Sequence, residues 1–481
     1  MEETRRPFTL DATARRRWGR VLLFLFAVTA AVLVTTLMLG AGVKRETAFM
    51  AGIFVIAALL WVTEAIPLFV TALLVILLEI LLLANPARLP WLGFSAGESP
   101  AIRRILHTAA DPILLLFLGG LVLALAATKE GVDRVLSGLF LRPFGRRPAA
   151  LLLGVILVTA AFSAWMSNTA TTAMMMALVA PLLVRLDRAA PFRRALVLAV
   201  PFAANLGGLA TPVGSPPNAV AMAFLKREGH ELSFLSWMAA MLPLTALLLA
   251  GLWWLLLKRH PAPAVELDLG ETRARLGWRG RAVVGVFTAT VLLWLTDRWH
   301  GIPAEVTALL ATVALAVPGI IRAADVDHVE WNVLILIGGG LALGAGLEMT
   351  GLDKWVVAQL PLEGVRHGGV LVAGLAVGAL VMSTFMSNTA AANLLLPLGV
   401  SALQAAGAGA APAVEVGVFV AAGASLAMAL PISTPPNAIA YARGEITTRD
   451  MATAGALVGV TGTALLLLAG PWWFRLLGLL E

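Results

Sequence analysis

The chain has 481 residues, of which 59% are hydrophobic and only 13% charged, with a mean hydropathy of +0.89. This composition excludes a string of soluble domains and predicts an all-α polytopic membrane protein: apolar runs such as 21–40 and 242–257 have the length of a spanning helix, and the alternating pattern of a membrane β-barrel is absent. The net charge of +7 comes from basic residues in short loops between apolar runs, which speaks for membrane topology and against nucleic acid, and the lack of cysteine excludes disulfides, Cys-ligated metals and a thiol nucleophile.

Six arginines between Arg5 and Arg20 precede the first apolar run and should hold the N-terminus in the cytoplasm. That run, 21–40, is too long for the apolar region of a signal peptide and predicts a retained first helix. Residues 49–65 and 67–84 predict helices 2 and 3, separated at Thr63-Glu64-Ala65-Ile66-Pro67, where Pro67 enforces a break. An outer loop is expected over 85–110, helix 4 over 112–127, and a helix lying along the interface over 131–140.

The next apolar block, 148–184, holds Ser167-Asn168-Thr169 near its centre. Arg146 and Arg147 precede it and Arg185, Arg188, Arg193 and Arg194 follow it, so both flanks read as cytoplasmic and the block as a re-entrant hairpin with the polar triplet at its tip. Helix 5, over 195–225, is interrupted by the Gly- and Pro-rich stretch Gly207 to Asn218, which no continuous helix tolerates. Helix 6, over 235–257, returns to Lys258-Arg259 and a basic linker over 261–281.

The order then repeats about 220 residues later. Gly119-Gly120 is matched by Gly339-Gly340, Gly131-Val132-Asp133 by Gly351-Leu352-Asp353, Ser167-Asn168-Thr169 by Ser387-Asn388-Thr389, and Ser215-Pro216-Pro217-Asn218 by Thr434-Pro435-Pro436-Asn437. This divides the chain into the N-terminus with helix 1 (1–48), a first repeat (49–260), the linker, and a second repeat (282–481) with an outer hairpin over 368–405. An odd number of crossings per repeat turns the second copy upside down, so the two polar tips meet near mid-membrane. The result is about eleven spanning helices plus two re-entrant hairpins in two inverted repeats, with the C-terminus outside and about 24 Lys and Arg inside against about 11 outside.

A polar triplet without a partner is costly inside a membrane, and its duplication beside two broken helices points to a ligand. A helix N-terminus offers unpaired N–H donors and partial positive charge, a site for an anion that needs no cationic side chain. None of the four duplicated motifs contains Lys, Arg or His. A dianion there calls for cations from elsewhere, and Na+ suits the hard oxygens of broken helices. One sodium is expected among Ser163, Ser167, Asn168 and the Gly214 carbonyl, and a second among Ser383, Asn388 and the Ser433 carbonyl. Glu64 reads as a structural or interfacial residue rather than a proton relay, and Met174-Met175-Met176 and the fourteen tryptophans as packing and interface anchors. The six histidines fall in loops or at helix ends, with no acid–base pair or metal-ligand spacing inside a span, which argues against an intramembrane enzyme.

On the two Ser-Asn-Thr motifs, the 63–67 break, Gly214-Ser215-Pro216-Pro217-Asn218 and Ser433-Thr434-Pro435-Pro436-Asn437, the chain resembles the divalent anion/sodium symporter family along nearly its whole length. The resemblance implies Na+-coupled transport of di- or tricarboxylates or sulfate across the inner (plasma) membrane, C4 dicarboxylates first, with a Na+-independent exchanger as the alternative. It also implies a homodimer whose helices 1–4 and 7–9 form a scaffold, against which the hairpins with helices 5, 6, 10 and 11 move like an elevator. Substrate contacts are then expected from Ser167, Asn168, Thr169, Ser387, Asn388 and Thr389, with Ser215-Pro216 and Thr434-Pro435 lining the site. Where the family usually has Gly-Thr-Pro-Pro this chain has Gly214-Ser215-Pro216-Pro217, and Ser383 stands where a Thr is usual; both keep the hydroxyl.

Overall fold

The computed structural model of the chain describes residues 12–89, 92, 94, 102–188, 190–263, 275–359, 368–405 and 411–480. Arg5 and Arg6, residues 95–101 of the expected outer loop, residues 264–274 of the linker and His367 lie outside the described residues. Every described element is helical.

The first repeat opens after α1 (Ala12–Gly40) with α2 (Arg45–Thr63) and α3 (Leu68–Leu78), which continues through a π-helical turn, Glu79–Ala84. Glu64, at φ 47°, ends α2 in the left-handed region, and Pro67 precedes α3. The region expected to be a plain loop contains a short helix, α4 (Ile102–Leu106), and a 3-10 turn, His107–Ala110. Next come α5 (Pro112–Lys129) and α6 (Val132–Leu141), divided by Gly131, whose φ of 66° stops the first helix. The hairpin is α7 (Pro148–Ser163) and α8 (Asn168–Arg185), followed by α9 (Phe192–Gly207), α10 (Pro216–Arg227) and α11 (Phe234–Arg259).

The second repeat runs as α12 (Trp278–Leu295), α13 (Asp297–His300), α14 (Ala304–Ala316), α15 (Ala323–Val326), α16 (Trp331–Thr350), α17 (Leu352–Ala358), the hairpin α18 (Gly368–Phe385) and α19 (Asn388–Ala405), α20 (Ala411–Ser425), α21 (Pro435–Tyr441) and α22 (Thr448–Leu476). The linker shortens accordingly, because its last residues already belong to α12. Among the described residues eight helices are long and apolar enough to cross a membrane; α3, α7, α14 and α20 are shorter apolar helices. With α9–α10 and α20–α21 each taken as one broken crossing, this is the polytopic helical architecture expected.

The repeats clasp each other reciprocally. A Cβ added to Gly119 of α5 would lie 2.5 Å from the Ala308 Cβ of α14, and one on Gly339 of α16 would lie 2.4 Å from the Ala72 Cβ of α3. Each repeat thus supplies one glycine and one alanine to the other, the signature of a pseudo-two-fold axis. Two buried tryptophans obey the same relation: Trp61 Nε1 donates to the Leu68 carbonyl (3.2 Å) and Trp294 Nε1 to the Ala304 carbonyl (2.9 Å), each fastening one helix to the start of the next. Behind them Ile66-Pro67 and Val70-Thr71-Ala72-Leu73-Leu74 recur as Ile302-Pro303 and Val306-Thr307-Ala308-Leu309-Leu310.

The hairpins lie close on the broken helices because small residues allow it. A Cβ on Gly207 would come within 2.4 Å of the Ala160 carbonyl oxygen, and one on Gly423 within 2.6 Å of that of Ala376. Met175 and Met176 are fully buried here, as packing residues should be. Arg193 binds the end of the first hairpin to the rest: it donates to the Leu183 and Leu186 carbonyls and pairs with Glu445 between α21 and α22.

Candidate functional site

Each hairpin turns through a few residues without regular structure and restarts as an 18-residue helix at Asn168 or Asn388. Ser167 occupies the N-cap position of α8, but its side chain makes no capping hydrogen bond. The N–H groups of that first turn are therefore not consumed by the cap.

The two tips open into one cavity of about 790 Å³. Its wall brings together every residue expected to touch substrate: Ser167, Asn168 and Thr169, Ser387, Asn388 and Thr389, Ser215 and Pro216, and Thr434 and Pro435. Leu68, Phe69 and Phe117 form part of the apolar side, and Glu64 and Glu330 are its acidic residues. No Lys, Arg or His is among the described residues of the wall. A doubly charged anion entering it would meet hydroxyls, amides and helix N-termini together with the carboxyl groups of Glu64 and Glu330, and no fixed positive charge among the described residues.

Behind the first tip is a cluster of oxygens. The end of the Asn168 side chain lies 2.5 Å from Ser163 Oγ, 3.2 Å from the Gly214 carbonyl and 3.3 Å from the Ala204 carbonyl. With Oδ1 turned to them, these four atoms form an all-oxygen set suited to a hard cation; with the amide reversed, Nδ2 faces the same three acceptors with two N–H groups to give, and the cluster closes on itself. Ser163, Asn168 and Gly214 of the expected set thus come together, the Ala204 carbonyl joins them, and Ser167 stands in the cavity wall. Glycine is needed at Gly208, where a Cβ would lie 2.8 Å from Asn168 Oδ1, and at Gly214, where it would lie 2.7 Å from the Gly208 carbonyl.

The second tip has the same plan. Ser383 Oγ, fully buried, donates to Asn388 Oδ1 (2.7 Å) and lies 2.9 Å from the Ala424 carbonyl, which matches that of Ala204. Ser433 lines the cavity, and its hydroxyl holds the loop to the tip by donating to the Thr384 carbonyl (2.8 Å) and accepting from Leu430 N (3.1 Å). Among the described residues no group of His, Asp and Glu side chains could hold a transition metal.

The Pro-Pro-Asn asparagines fix the broken loops. Asn218 Nδ2 donates to the Gly208 and Thr211 carbonyls, both at 2.8 Å, and Asn437 Nδ2 to those of Met428 and Leu430, both at 2.9 Å. Thr211 adds a further tie, donating to the Ala164 carbonyl and accepting from Gly214 N. Asn205 and Ser425, one on each broken helix, were not legible as site residues; each is a single polar residue whose repeat mate has a different side chain. Trp165 of the first tip stacks on Phe234 and Trp294, with ring centroids 5.9 and 6.2 Å away, whereas Phe385, its mate on the second tip, is 61% exposed.

A family model for citrate transporters, CitMHS, matches residues 58–423. The sodium-dependent dicarboxylate transporter SdcS of Staphylococcus aureus is 29% identical over 461 residues, covering 87% of this chain and 85% of that protein. An uncharacterised transporter of Haemophilus influenzae is 29% identical over 443 residues, covering 87% and 90%. Among solved structures, the YdaH transporter of Alcanivorax borkumensis superposes with a TM-score of 0.56 over 85% of this chain and 98% of its own, at 15% identity, a likeness of fold. The duplicated tips, the single shared cavity and the match over most of the chain agree: this is a multi-pass membrane protein, a transporter rather than an enzyme, and it belongs to the citrate transporter family, within the divalent anion/sodium symporters.

Proposed function

We propose that the protein carries C4 dicarboxylates such as succinate, malate or fumarate into the cell together with Na+. One observation carries this reading: two helix N-termini and their Ser-Asn-Thr residues face one cavity with no cationic side chain among the described residues of its wall, while a buried serine hydroxyl, the tip asparagine side chain and a backbone carbonyl come together behind each tip. Two carboxylates set apart on a short chain suit two opposed tips better than a compact inorganic anion does. Sodium held by Ser163, Asn168, Gly214 and Ala204, and by Ser383, Asn388 and Ala424, would make the anion site attractive, and by linkage the anion would tighten sodium by the same factor. The name of the S. aureus relative supports the same coupling. The match to citrate transporters supports a second substrate reading, a tricarboxylate, for which a cavity of about 790 Å³ has room.

The same reading divides the molecule into a scaffold, α1 to α5 with α12 to α16, and a moving part made of the hairpins with α9 to α11 and α20 to α22, paired in a homodimer with the N-terminus cytoplasmic and the C-terminus outside. Sliding between the parts must break the pair of Arg227 with Asp111 (3.2 Å) and the bond from Arg227 to the Leu341 carbonyl (2.9 Å). Melting of the purified protein tests the coupling. Succinate should raise the midpoint in NaCl and leave it unchanged in choline chloride, since a ligand stabilises only the state it binds. An equal rise in both salts would contradict sodium coupling.

A further inference from the structure

We infer that Asn205 is a positioning residue for the carried anion, acting through Thr434; the inference rests on the proposed transport of carboxylates. It follows from the direction of five hydrogen bonds. The Met428 and Leu430 carbonyls can only accept, so Asn437 must turn its Nδ2 to them. Asn437 Oδ1 then faces Asn205, which must present its own Nδ2, 3.2 Å away. The same Nδ2 reaches Thr434 Oγ1, also at 3.2 Å, and Asn437 N donates to that oxygen from 3.3 Å. A hydroxyl has two acceptor positions and one proton. With both acceptor positions taken by N–H groups, what Thr434 has left to offer the cavity is its proton, which an anion can accept and a neutral donor cannot.

The pseudo-two-fold mate of this contact makes the point sharper. Ser425 of α20 reaches Ser215 of the first repeat as Asn205 of α9 reaches Thr434 of the second, and Ser215 Oγ lies 3.3 Å from Ser425 Oγ. Between two hydroxyls either can donate, so Ser215 keeps the choice that Thr434 has lost. Asn218, the mate of Asn437, has no hydrogen-bond partner for its buried Oδ1, so no amide relay runs on that side. Asn205 is only 2% exposed and lines the cavity. The two ends of a bound dicarboxylate therefore meet unlike partners, a dedicated donor at Thr434 and an adaptable hydroxyl at Ser215.

The test is labelled-succinate uptake by the full chain in proteoliposomes at saturating Na+, with melting curves to verify folding. Asn205→Ala and Thr434→Val should each raise the apparent KM about tenfold, the scale of one hydrogen bond to a charged group. The maximal rate and the Na+ activation curve should hold, Thr434→Ser should stay within about twofold of wild type, and the double variant should be no worse than Thr434→Val alone. If Asn205→Ala fails to fold, Asn205→Leu, close in volume and without charge or N–H, serves instead: its effect on KM should shrink sharply once Thr434 is Val. Multiplying effects in the double variant, or a KM within about twofold of wild type in Asn205→Ala, would overturn the inference while wild-type uptake leaves the proposed function standing. Wild-type protein that takes up neither C4 dicarboxylates nor citrate would overturn the proposed function, and this inference with it.

Discussion

Ser163→Ala tests the cation cluster with the smallest change in shape. Ser163 is fully buried and its Oγ lies 2.5 Å from Asn168, so the substitution deletes one oxygen and leaves the helices in place. A hydrogen bond or ligand of this kind is worth about 0.5–1.5 kcal/mol net, or about 2- to 10-fold in an equilibrium constant. The half-saturating Na+ concentration for succinate uptake should rise by that factor. Linkage adds a stricter expectation: below saturating Na+ the apparent affinity for succinate should fall by the same factor, and at saturating Na+ it should return to the wild-type value. Ser383→Ala should behave alike, with the larger effect because Ser383 Oγ contacts both Asn388 and the Ala424 carbonyl, while Ser383→Thr should be close to wild type. Na+ activation curves of both alanine variants that superimpose on wild type, in proteins that melt normally, would refute the cluster as a sodium site.

Other consequences are open to simpler measurements. Asn168→Ala or Asn388→Ala removes a side chain from the proposed meeting point of cation and anion, and uptake should fall to background in a protein that still melts cooperatively; near wild-type uptake in either would count against the site. Gly119→Ala places a methyl 2.7 Å from the Ala308 carbonyl oxygen and should cost about 1–3 kcal/mol, read as a lower melting midpoint in detergent, with Gly339→Ala costing a similar amount across the pseudo-axis. The Arg193 guanidinium beside Glu445 holds that carboxyl below its ordinary range. The stabilisation is thus present above the unfolded value of about 4.3 and lost as pH falls through the lower folded value, so Glu445→Gln should cost about 1 kcal/mol at pH 7 and nothing in strong acid.

The tips were legible because polar triplets in apolar blocks are conspicuous, and because Ser167-Asn168-Thr169 recurs as Ser387-Asn388-Thr389 at a constant interval. The glycines and prolines of 207–218 announced a broken helix for a physical reason, since Gly208 and Gly214 must admit other backbone atoms at short range. The recurrence of Val70-Thr71-Ala72-Leu73-Leu74 as Val306-Thr307-Ala308-Leu309-Leu310 was equally present in the letters but lies at a different interval, because the loop after α3 is longer than the one after α14. Asn205 and Ser425 gave no pattern, since the contact each makes with the other repeat exists only after folding. The π-helical turn at Glu79 and the short α4 were likewise hidden, the first because propensity cannot separate π from α within one apolar run.

The most direct measurement of the account is labelled-succinate uptake into proteoliposomes, with external Na+ or K+ and with the lumen empty or loaded with unlabelled dicarboxylate. Uptake into empty vesicles, driven by an inward Na+ gradient and absent in K+, is the expected result. Uptake that ignores Na+ and requires internal dicarboxylate would contradict the account: the protein would be an exchanger, and the oxygen clusters behind the tips would serve the fold alone.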